Sequence, residues 1–119
     1  MKGMVIVMNN LEKFGKIFIC DVRDKTIRSF NKIFSGEMKG TTAETIHDLT
    51  KNFSEVDQEK VQNIITIVID QCMHNMLFMA EEHEEIELKY NDDNLVDESD
   101  GLAGELYTED GWIEKYSEF

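Results

Sequence analysis

Glu44 and His47 stand three residues apart in Glu44-Thr-Ile-His47, a spacing that puts a carboxylate and an imidazole on one helix face. Helical carboxylate-bridged metal centres use two such pairs plus further glutamates. This chain has one, because Gln71 lies three before His74 and Ala80 three before His83. His74 lies among Cys72, Met73, Met76 and Met79, soft donors of the kind that hold Cu(I). On a helix, however, Cys72 and His74 point in different directions, and methionine at helical spacing is ordinary core filler. His83 sits inside Glu81-Glu-His-Glu-Glu85, where the carboxylates favour the imidazolium form. Acids at a helix C-terminus oppose the helix dipole, so stability alone does not explain this run. Three scattered histidines and two separated cysteines complete no ligand set. The expectation is no catalytic residue, no metal and no cofactor.

Other site grammars fail too. An EF-hand loop needs Gly at position six and Glu at twelve. Placing Gly101 at six puts Tyr107 at twelve, and placing Gly111 there puts Ser117 at twelve. No Walker loop, dinucleotide fingerprint, nucleophile motif or HExxH stretch is present in the sequence.

The chemistry that stands out is charge beside aromatic surface. Residues 1–80 hold ten basic and ten acidic side chains, whereas residues 81–119 hold fifteen acids and two lysines, so the entire net charge of -13 lies in the last third. There Tyr107, Trp112, Tyr116 and Phe119 interleave with Glu105, Glu109, Asp110, Glu114 and Glu118. Aromatic anchors inside a charged rim are the anatomy of a protein-binding patch. An acidic field steers a basic partner and speeds its association. Nucleic acid is excluded as a partner, since phosphate contacts need clustered Lys and Arg. The bases of residues 1–40 are spread along a helix whose other face is core.

The elements that must hold this surface read as mainly helical. The 119 residues contain no proline, with 41% apolar and 31% charged residues, a composition that fits one globular domain with one core. Leu11, Phe14, Ile17, Phe18 and Val22 share a helix face, with Asn9 or Asn10 as cap. Ile27, Phe30, Ile33 and Phe34 continue the pattern on a rotated face, so at Asp21–Lys25 either the stripe wraps around one long helix or the helix bends or breaks. Gly36 and Gly40 mark the stop. Thr41-Thr-Ala-Glu44 reads as a capping box before a short helix through Ile46, Leu49 and Phe53, and Ser54 with Asp57 as an imperfect second box. The helix of residues 55–84 is apolar nearly all round and is expected to be the most buried segment. Replacing Ile65 or Val68 there with Asp should then abolish folding.

Beyond residue 84 the period falls to two. Ile86, Leu88 and Tyr90 alternate with charged residues, and Asn91–Asn94 reads as a turn. Leu102–Thr108 and Trp112–Ser117 flank Asp110-Gly111, an Asp-Gly step that tolerates positive φ. The expectation is an α+β chain, a single domain over residues 1–119. A helical core of about three helices spans residues 1–84, and a small antiparallel β meander forms the acidic element of residues 85–119. An all-α chain, with Trp112–Tyr116 as a short helix, is the alternative. Cys20 and Cys72 read as buried, reduced thiols. No apolar run approaches a membrane span, and Met1–Asn10 lacks the long apolar region of a signal peptide, so the expected location is cytoplasmic.

In size and acidity the chain resembles the small immunity proteins and antitoxins that bacteria pair with basic nuclease toxins. Charge and scale carry this resemblance, so no residue role transfers with it. It implies a non-enzymatic inhibitor whose acidic face covers a basic partner's active site or nucleic-acid-binding surface. Two other classes stay open. One is a helical metal-binding protein or enzyme using Glu44, His47, His74 or His83, which needs at least three of them in one pocket. The other is a structural or regulatory homo-oligomer, which would leave an apolar stripe exposed on the isolated chain.

Overall fold

The computed structural model describes residues 8–119. The apolar stretch of the first ten residues, considered for targeting, lies mostly outside them. Asn9 caps helix α1 (Asn10–Phe18), its side chain accepting the Glu12 backbone N–H at 2.8 Å. The phase change at Asp21–Lys25 has a specific form, because Ile19–Asp24 winds as a π-helical turn. The extra residue in such a turn rotates the next stretch of helix by about 100°. Phe18 and Ile19 therefore face the C-terminal segment, whereas Ile27 and Ile33 of α2 (Lys25–Phe34) are buried on the side of α3 and α4.

Gly36 (φ 81°) and Gly40 (φ 119°) take left-handed backbone between α2 and α3 (Thr41–Thr50). Gly40 is itself the N-cap of α3 and no side chain caps it, so the expected Thr41/Glu44 box does not form. The helix starts one residue early and Thr41 is already inside it. The Ser54/Asp57 box does form at the head of α4 (Glu55–Glu82), with both reciprocal hydrogen bonds present. Past α4, β1 (Lys89–Tyr90) pairs antiparallel with β2 (Asp93–Asn94), Tyr90 opposite Asp93. Asn91 and Asp92 between them both have positive φ, 50° and 73°, the pattern of a type I′ turn. The described residues are thus predominantly helical α+β, 65% helix with one two-stranded sheet. No described helix is long and apolar enough to cross a membrane.

The expected meander over residues 102–117 is not there. Leu102–Leu106 is a 3-10 turn and Trp112–Tyr116 is helix α5, as the all-α alternative had it for that stretch. Gly111 is not a positive-φ residue. Its φ is -74°, and it is needed because a Cβ there would stand 2.1 Å from the Tyr107 carbonyl oxygen.

The core also lies elsewhere than expected. Only Met73, Leu77 and Ala80 of α4 are buried. They pack with Leu11, Phe18, Ile19, Leu95, Leu102, Ala103, Leu106 and Trp112, so the acidic third closes the core and α4 is one wall of it. Ile64, Ile67 and Val68 are 59%, 67% and 53% exposed. Periodicity registered how apolar α4 is, but the described residues supply helices for one side only. Val68→Asp is accordingly expected to give a folded chain that still melts cooperatively, because at an exposed site the new carboxylate stays hydrated. Thermal melting followed by circular dichroism checks it.

Candidate protein-binding surface

The 3-10 turn seats Leu102, Ala103 and Leu106 on α4, and the Ala103 N–H donates to Glu81 Oε1 at 2.5 Å. Trp112 follows, fully buried, its ring lying where a Gly15 Cβ would come within 2.4 Å of the indole. Phe14 meets it edge-on at 5.9 Å between ring centroids. Trp112 is therefore a core residue and presents nothing to a partner, because the lack of a side chain at Gly15 opens the slot that its ring fills.

Two polar clusters pin this closure. Glu12 accepts from Trp112 Nε1 at 3.2 Å, from the Tyr116 hydroxyl at 2.5 Å and from Lys115 Nζ. Burial alone would raise the Glu12 pKa, but these donors outweigh it and hold the carboxyl below its ordinary value. The Tyr116 hydroxyl is pushed up by burial and by donating to that carboxylate. Tyr116 is thus half-buried with its polar end turned inward.

The second cluster was not singled out from sequence. Arg23, in the π-turn, is buried and donates to Asp70 through Nε (2.6 Å) and a terminal guanidinium nitrogen (3.3 Å), and to Ser117 Oγ at 2.8 Å. Buried Asp24 accepts from Ser117 Oγ (2.7 Å) and the Glu118 N–H (2.8 Å). The signals were the charged residues at the phase change and Asp70 inside an apolar run. Neither alone says that they meet.

Of the other sequence-derived residues, Tyr107 is 40% exposed, and its hydroxyl donates to the Asp70 carbonyl at 3.3 Å. Its ring lies 5.7 Å from that of His74. Glu109, Asp110 and Glu114 are exposed, and half-buried Glu105 accepts from Ser99 Oγ at 2.8 Å. Glu98, Asp100 and Glu105 line an open depression of about 460 Å³, and Asp70, Tyr107 and Glu114 line another of about 260 Å³. Thr108 borders both, so the two acid-lined depressions adjoin as one shelf. Thr108 also has φ 87°, unusual for a β-branched residue.

The histidines do not converge. His47 on α3 donates through Nε2 to the Ile33 carbonyl at 2.5 Å, His74 lies in the middle of α4, and His83 beside Glu85 forms its C-cap. Among the described residues no three His, Cys, Asp or Glu side chains are placed to hold a metal ion. Both cysteines are free thiols, but only Cys20 is partly buried; Cys72 is exposed, on the uncovered side of α4. No protein-family model, no curated protein and no solved structure matches the chain.

Proposed function

We propose that the chain is a protein-binding module without chemistry of its own, and that its acidic shelf takes a basic protein as partner. The adjoining of two acid-lined depressions at Thr108 carries the reading, since dispersed acids would only solvate the surface. Support also comes from the strained backbone of Thr108, because such residues gather at binding sites. Tyr107 takes the anchor role in place of Trp112, as the partly exposed aromatic on the shelf. The specific form of this reading is an inhibitor of immunity or antitoxin type that covers a nuclease toxin's basic surface.

The test begins with a partner captured from extract of the native host and identified as a basic protein. Charge reversal at Glu109, Asp110 and Glu114 should then slow association and flatten its dependence on salt. Tyr107→Ala should weaken binding by about 2 kcal/mol, the usual hot-spot threshold. Full affinity in folded variants of both kinds would discard the shelf as the binding surface.

A further inference from the structure

We infer that the uncovered face of α4 is a self-association surface, on which a second copy of this chain packs antiparallel about a twofold axis at Gln71. The surface is separate from the acidic shelf and does not depend on it.

Lys60, Ile64, Ile67, Gln71, Asn75, Phe78 and Glu82 are all exposed on the side of α4 away from the core. Their spacings run four, three, four, four, three, four, so the row reads the same in both directions about Gln71. A twofold interface requires this, because when residue i meets j, j must also meet i. In an antiparallel copy Ile64 faces Phe78, Ile67 faces Asn75, Gln71 faces itself, and Lys60 meets Glu82 at each end. Val68 and Met79, also exposed, widen the seam. Steps of three and four make the seam of paired helices, with two fours meeting at Gln71. Gln71, which donates to Asn75 at 3.2 Å, puts a polar group at the centre, a device that fixes register and partner number.

Area and charge point to the same occupant. The chain exposes 8229 Å² at 13.8 kDa, where a compact monomer of that mass exposes about 6,600 Å². The excess, about 1,600 Å² over the whole chain, leaves room for the roughly 800 Å² that each partner contributes to a standard interface. The radius of gyration, 17.3 Å, likewise exceeds the roughly 13.5 Å of a closed domain this long. Charge sets the direction. The acidic third packs at the C-terminal end of α4, and the residues before it sum to zero. Parallel packing would stack two surplus charges of -13, whereas antiparallel packing sets them at opposite ends of a helix about 42 Å long.

Sedimentation equilibrium of the parent chain should give twice the monomer mass. Ile67→Glu, exposed in the monomer, should melt normally yet raise the dimer dissociation constant about a hundredfold or more, since both copies lose the contact. With Cys20 and Cys72 changed to Ser, Gln71→Cys should oxidise to a covalent dimer. Ile64→Cys should not do so alone but should cross-link when mixed with Phe78→Cys. A parent chain that stays monomeric at every accessible concentration overturns the inference, whether another protein or a lipid surface then proves to cover α4. So does an Ile64→Cys chain that cross-links to itself as readily as Gln71→Cys, which would mean a parallel pair.

Discussion

Trp112→Ala is expected to lower the unfolding free energy by about 3–5 kcal/mol, the usual cost of removing a large buried aromatic. Domains of this kind have only about 5–15 kcal/mol in total. The substitution opens a void under α5, removes the edge contact with Phe14 and takes one donor from Glu12. Chemical denaturation measures the loss, and an unchanged midpoint would mean that α5 does not close the core. A double-mutant cycle adds specificity. Gly15→Ala alone must push its new Cβ against the indole and should destabilise strongly. In the Trp112→Ala background the same methyl enters vacated space, so its cost should shrink or vanish.

Arg23→Met should cost a similar amount, about 3–5 kcal/mol, by the different route of leaving buried charge without its partner. The guanidinium stands between Asp24, 1% exposed, and Asp70. Without it two carboxylates of like sign share a poorly hydrated space. Asp24→Asn keeps acceptors for Ser117 and the Glu118 N–H, and should be milder. Denaturant midpoints order the two variants. A loss below about 0.5 kcal/mol for Arg23→Met, the scale of a surface substitution, would show that water reaches the cluster freely.

The readings that held depend on short-range chemistry. Ser54 and Asp57 satisfy each other's backbone N–H groups within one turn, and the type I′ turn at Asn91–Asp92 likewise involves only its neighbours. The predominantly helical character followed from apolar spacing. Apart from the local Thr41/Glu44 box, lost because the helix starts one residue early, what failed depended on partners far along the chain. Trp112 beside Asp-Gly reads as an exposed turn aromatic until Gly15 is known to lie under it. The meander failed because alternation over a few residues does not separate a strand from a 3-10 turn that plants Leu102 and Leu106 on one wall. Helix α4 failed differently. Its apolar residues were counted correctly, but a count does not say whether the covering surface belongs to the same chain. The acids of the candidate shelf were legible as charge, and the meeting at Thr108 of the two depressions they line was not, because it is made in space.

The closure of α1 by α5 has a consequence for biosynthesis. Glu12 reaches its three donors, Trp112, Lys115 and Tyr116, across sequence separations of 100 to 104. Leu11, Phe14 and Phe18 therefore leave the ribosome long before the residues that cover them exist. At about 5–20 residues per second, that interval is roughly 5–20 s, far longer than a helix takes to form. Nascent chains then carry an unshielded apolar stripe for a time set by translation speed, and holdase chaperones have a defined window in which to act on it.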